Sequence, residues 1–179
     1  MRKIGIYIVL SALACMLPCS ASWAKDELAY LVKDNSPVKV FVAGFVNESG
    51  QNQILPEEFK VSFENTLLNR KSVSFMVVNN INESDVRISG IIKKYLYSKT
   101  DPITTYASPS GLLLDAVTTE NYCEMNVEFT VTDTRAAKVV WKKEVSTFIK
   151  RTMTPDESIP LIYDKVSRNF LWKSFGKPK

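Results

Sequence analysis

The sequence predicts an α+β fold, a four- to five-stranded antiparallel or mixed sheet with two amphipathic helices packed on one face, in the order β-α-β-β-loop-β-β-α. Five segments rich in β-branched and aromatic residues carry the strands, several of them alternating apolar and polar side chains with period two. Two segments instead repeat apolar residues every three or four positions, the spacing of one helix face. The strands come mostly in a run between the two helices, which suits helices gathered on one side of a sheet.

Residues 1–24 are expected to be a removable export signal. Arg2 and Lys3 give a basic start, residues 4–14 form an uncharged apolar stretch, and Pro18 ends it. Ser22-Trp23-Ala24 then offers small side chains at the two positions a signal peptidase tests, so cleavage falls between Ala24 and Lys25. The apolar stretch is shorter than the roughly 20 residues that span a bilayer, which disfavours a retained anchor. Lipidation is the other alternative, with Cys15 as the acceptor because small residues precede it, whereas Cys19 follows Pro18. Cleavage after Ala24 leaves Cys123 as the only thiol, so the mature chain relies on a packed core rather than an internal disulfide. About 155 mature residues suit one domain: an arm over 25–37, an α+β domain over 38–175 and a basic tail over 176–179.

Residues 26–34 read as a lead-in helix or arm, closed by Ser36-Pro37. Residues 38–46 make the first strand, and their near-continuous apolar run suggests burial on both faces or a central place in the sheet. A polar loop follows, then Pro56 at a helix first turn with Glu57 and Glu58 beside the positive end of the dipole. Phe59, Phe63 and Leu67 define that helix's inner face to about Arg70. Residues 73–78 and 85–96 are the next strands, and Gly90 within the latter implies a bulge or the close approach of another segment. Residues 98–119 are expected to be a long loop, with Leu112, Leu113 and Leu114 lacking any evident helix or strand. Residues 121–132 alternate cleanly and pair with residues 138–150 across an Asp133-to-Ala137 turn. Thr154 and Pro155 supply the N-cap and N1 of a last helix striped by Ile159, Ile162, Tyr163, Val166 and Phe170.

The chain has no histidine, which removes Ser-His-Asp and Cys-His catalysis. Cys123 lies on the apolar side of its strand and reads as a core residue. The acid pairs Glu57-Glu58 and Asp156-Glu157 sit at helix starts, where the dipole explains them. No glycine-rich phosphate loop or metal-ligand spacing exists in the sequence, so no cofactor, metal or catalytic residue is assigned. The net charge of +4 falls to +2 with loss of Arg2 and Lys3, too mild for nucleic-acid binding. Lys93, Lys94, Lys99, Lys142, Lys150 and Arg151 flank or lie on strands; they serve as edge protection or as a surface for an anionic headgroup.

Val38-Lys39-Val40-Phe41-Val42-Ala43-Gly44-Phe45-Val46-Asn47-Glu48-Ser49, followed by a helix and then Ser84-Asp85-Val86-Arg87-Ile88-Ser89-Gly90-Ile91-Ile92, resembles the lipopolysaccharide-assembly lipoprotein family, LptE. There a Phe-x-Asn-x-Ser/Thr segment precedes an Ala/Ser-Asp-x-x-hydrophobic-x-Gly-x-hydrophobic strand. The opening also resembles the envelope lipoproteins related to curli secretion and penicillin-binding-protein activation. The first resemblance implies a non-enzymatic protein in the periplasm or on the periplasmic face of the outer membrane. It would bind an LptD-like β-barrel, with lipopolysaccharide as a further ligand and Leu112, Leu113 and Leu114 as the candidate partner contact. A lipobox and a basic ligand-contact motif do not align, so no binding residue is carried over. Two other classes stand beside it: a periplasmic protein that binds and regulates an envelope enzyme or secretion complex, and a histidine-free hydrolase.

Overall fold

Alternating burial along the strands and a fixed apolar stripe on each helix leave one way to dry the core, with both helices on the same side of the sheet. The computed structural model describes residues 28–31, 36–71, 73–99, 106–107, 113–114 and 121–176. Cys15, Ala24, Lys25 and Leu112 lie outside the described residues.

The sheet contains β1 (Val38–Asn47), β2 (Phe75–Val77), β3 (Val86–Lys99), β6 (Asn121–Asp133) and β7 (Lys138–Arg151), in the order β2-β1-β3-β6-β7. β1 is parallel to β2 and to β3, whereas β3, β6 and β7 are successively antiparallel, so the sheet is mixed. Helices α1 (Pro56–Leu68) and α2 (Pro155–Phe175) cover its inner face. β7 points the same way as β1, and each of these strands leads into a helix that turns back over the sheet. The two helices are therefore parallel neighbours. Tyr163 of α2 meets the backbone of Leu55 at one end, and Arg70 donates to the Gly176 carbonyl at the other.

The apolar run of β1 does not mean two buried faces. Lys39 and Val46 are exposed and Phe41 half-buried on the outer side. The run arises partly from a bulge at Gly44, whose φ of +116° lets the register slip so that Val42 and Phe45 both face the helices. A second bulge at Lys93 does the same for Ile92 and Tyr95 in β3.

Phe59, Phe63 and Leu67 of α1 are fully buried, as are Ile162, Val166 and Phe170 of α2. Rings from both helices and three strands meet in one cluster: Phe45 stands edge-on to Phe59 at 4.4 Å, and Phe129 stacks on Phe170 at 4.4 Å. Phe63 and Trp141 also touch Phe170. Such pairs contribute about 0.5–1.5 kcal/mol each beyond burial. Gly90 is the floor under Phe45; a Cβ there would lie 2.8 Å from the ring and 2.9 Å from the Glu128 carbonyl oxygen. Of the two expectations for Gly90, close approach is the one realised.

α2 begins with a full capping box, Thr154 accepting from the Glu157 N–H while the Glu157 carboxylate accepts from the Thr154 N–H at 2.8 Å. α1 has no side-chain cap of its own. The Leu55 N–H donates instead to the Tyr163 hydroxyl at 3.2 Å, so one helix caps the other. The expected loop differs from expectation in one respect: Leu113 and Leu114 form a two-residue strand, β5 (Leu113–Leu114), paired with β4 (Tyr106–Ala107). At the N-terminal side a 3-10 turn spans Ala29–Leu31, and buried Leu28 donates its N–H to the Ser174 carbonyl at 2.9 Å.

Replacing Gly90 by alanine should cost about 1–3 kcal/mol, because the methyl group overlaps a packed ring and a strand carbonyl. Urea unfolding measures this; a loss below about 0.5 kcal/mol would mean that Phe45 moves aside freely.

Candidate functional site

Among the described residues, two surfaces stand out once the core is formed. The first is a groove of about 1200 Å³ between α1 and α2, on the side away from the sheet. Its apolar lining includes Val61, Ile159, Tyr163 and Leu171, and Trp172 stands on its border with 44% of its surface exposed. Because the helices are parallel, their acidic first turns coincide, and the basic residues that follow α1 lie toward the end of α2. Glu57, Glu58 and Asp156 line one end, and Arg70 and Lys71 line the other. Arg168 pairs with Asp164 one turn earlier on α2.

The second surface is the outer face of the sheet, which carries most of the basic residues singled out in the sequence. They divide into two groups. Lys93 reaches Glu48 at 2.8 Å, Lys94 reaches Glu124 at 2.8 Å, and Lys142 reaches Glu128 at 3.1 Å. The hydrogen bond that Lys93 donates to Glu48 holds its ammonium above its ordinary pKa. Lys99 and Arg151 belong to the other group. Both lie beside Asn121 at the sheet end from which the long loop departs, with Lys150 opposite Tyr122 on the next register position. The structure thus ties three of the six to carboxylates and sets the other three at one end of the sheet, Lys99 and Arg151 on the side of buried Asn121 and Lys150 on the opposite side. Glu124 and Glu128 were visible on the polar side of an alternating strand, but their partners depend on cross-strand register, which the sequence does not state. Exposed apolar side chains interrupt the charges, among them Val46, Leu96 and Phe148, whose ring stacks on Tyr122 at 5.8 Å.

A small polar cluster lies beneath the start of α2. The hydroxyls of Tyr95 and Ser158 are 2.8 Å apart, and Cys123 is buried beside them. Burial pushes the Cys123 thiol up, away from the thiolate a nucleophile needs. Tyr97 donates to the Met153 carbonyl at 2.8 Å, and Asn121 donates to the same oxygen. These bonds fix the chain's entry into α2. Among the described residues no three Cys, Asp or Glu side chains converge as a metal-binding group, and no helix is long and apolar enough to cross a membrane.

No protein-family model matches the sequence, and no curated protein does. The fold is similar to that of the PelC dodecamer from Paraburkholderia phytofirmans, with a TM-score of 0.52, 12% identity, and coverage of 79% of this chain and 91% of that chain. Looser likenesses are the hypothetical protein CT253 from Chlamydia trachomatis (TM-score 0.49, 9% identity, 80% and 100% covered) and Lipoprotein GNA1162 from Neisseria meningitidis (TM-score 0.40, 11% identity, 75% and 98% covered). At these identities the PelC likeness speaks to the fold, and the other two add no argument.

The residues that carry the LptE resemblance do structural work in this chain. Phe45 packs over Gly90. The Asn47 amide donates to the carbonyls of Gln51 and Ile54, both at 2.9 Å, while its oxygen accepts from the Ser49 N–H, so it shapes the loop into α1. Asp85 accepts from the Lys39 N–H at 3.0 Å and from Arg135 at 2.7 Å, joining β1 to the start of β3 and to the β6–β7 turn. The motif therefore encodes the fold and leaves the ligand open.

Tyr95 and Tyr163 are both pushed up to about 12, chiefly by burial. Their neutral forms are favoured in the fold, so this part of the stability is complete below about pH 10 and is lost as the pH rises through about 12. An alkaline titration of tyrosinate absorbance with parallel unfolding should show these two ionising only as the fold opens. Free ionisation of every tyrosine near pH 10 in a folded protein would contradict their burial.

Proposed function

We propose that this chain is a non-enzymatic protein of the bacterial envelope that works by docking on other proteins, and that its partner is a β-barrel that inserts lipopolysaccharide into the outer membrane. The observation that carries the docking reading is the contrast between the two surfaces and the interior. The open surfaces mix exposed apolar residues with charge, the pattern of contact faces, whereas the buried thiol and phenols are held in their unreactive protonated forms. The export signal expected over residues 1–24 supports that location. The strand-and-loop motif at residues 38–49 and 84–92 supports the lipopolysaccharide-assembly reading, with Leu112, Leu113 and Leu114 as the barrel contact and Lys99, Lys150 and Arg151, at one end of the sheet, as the residues that would meet a glycolipid phosphate.

A second reading is favoured by the ion pairs on the sheet. Lys93, Lys94 and Lys142 are engaged by Glu48, Glu124 and Glu128. A face neutralised in this way suits a protein partner better than an anionic headgroup, as expected for a protein that binds and regulates an envelope enzyme or secretion complex.

Gentle crosslinking in the native host, purification from its membranes, and mass spectrometry of both the partner and the mature N-terminus separate the two. A β-barrel co-purifying with the chain, with Lys25 or an acylated Cys15 at the N-terminus, is the expected result. A soluble envelope enzyme as sole partner would overturn the assembly reading in favour of regulation.

A further inference from the structure

We propose that the interhelical groove is closed by a second copy of this chain, in a two-fold dimer whose helix pairs lie antiparallel on one another. This inference does not depend on where the protein resides or on the partner proposed above.

The charge layout selects the occupant. Parallel packing of α1 and α2 puts Glu57, Glu58 and Asp156 at one end of the groove and Arg70 and Lys71 at the other, with the Asp164–Arg168 pair between them. Such a strip is complementary to itself only when turned end for end. A two-fold axis perpendicular to the helices does this, setting the acidic end of each protomer on the basic end of the other. A parallel arrangement would place acids on acids.

The apolar groups fit the same geometry. Val61 and Leu68 are each 57% exposed and lie seven residues apart, on one outward stripe of α1. That stripe can lie in the groove of the other protomer, against Trp172, a residue type that often anchors interfaces. At 1.5 Å per residue, α1 and α2 are about 20 and 31 Å long. Their corrugated face is of the order of the ~800 Å² per partner buried in a stable interface.

The chain's own loop is a poorer occupant. It leaves the sheet at Lys99 and returns at Asn121, beside Met153 and hence at the acidic end of the groove. Its own charges, Asp101, Asp115 and Glu120, are all acidic as well.

Sedimentation equilibrium of the exported, processed protein tests the proposal. The wild type should dimerise, and Glu57→Lys/Glu58→Lys/Asp156→Lys should weaken the dimer by at least about tenfold. Lys71→Glu/Arg168→Glu should do the same. Mixing these two variants should restore association as a heterodimer, because both ends of the contact are then attractive. Val61→Glu is the second variant, disrupting the stripe without changing either end. Circular dichroism confirms that each variant is folded; if a charge variant is not, Val61→Glu decides. A monomer at every accessible concentration would overturn the proposal. So would a dimer indifferent to these changes, or a mixture that stays monomeric.

Discussion

The packing of Phe45 onto the bare backbone of Gly90 is the constraint on which the rest of the architecture rests. Gly90 sits in the interior strand β3, between parallel β1 and antiparallel β6, where any Cβ would collide with the ring and with the Glu128 carbonyl. With the ring seated there, Phe59 and Phe63 of α1 can stand edge-on to it, and Phe129 and Phe170 complete the cluster from β6 and α2. One glycine thus sets how closely both helices approach the sheet. The bulge at Gly44 serves the same end by turning Phe45 inward, so two of the chain's few glycines cooperate on one ring.

That arrangement also determines the surfaces. Both helices return from strands that point the same way, so they are parallel and their terminal charges collect instead of alternating. Parallel neighbours are electrostatically unfavourable as dipoles, and the acids at their N-termini offset part of that cost. The outcome is a groove with a sign at each end. On the opposite side no helix covers the sheet among the described residues, and cross-strand ion pairs with exposed apolar side chains make up that face.

The periodic elements were legible because period is written directly in the sequence. Phe59, Phe63 and Leu67 mark the inner face of α1, the alternation from Asn121 onward marks β6, and Thr154-Pro155 marks the start of α2. The run in β1 marks a strand paired on both edges and not one buried on both faces, since a bulge places Val42 and Phe45, three residues apart, on one face and mimics a strand buried twice. The short β4–β5 pair carried too few residues to show a period. The pairing of Lys93, Lys94 and Lys142 was hidden for a different reason: the carboxylate that stands across from a lysine is set by register, and register is a tertiary property. The groove was invisible for the same reason, because neither helix alone reveals that the two are parallel. Asn47, Asp85 and Gly90 explain why a short motif can accompany this fold without naming a ligand.

On the reading proposed above, this protein acts by surface contact, with different faces meeting different neighbours. Position-resolved photocrosslinking in the native host tests that most directly, with a photoreactive residue placed in turn at Leu96 on the open sheet and at Val61 on α1. Leu96 should capture another envelope protein, while Val61 should capture a second copy of this chain. Crosslinks to neither, in cells where the protein is folded and exported, would contradict that reading.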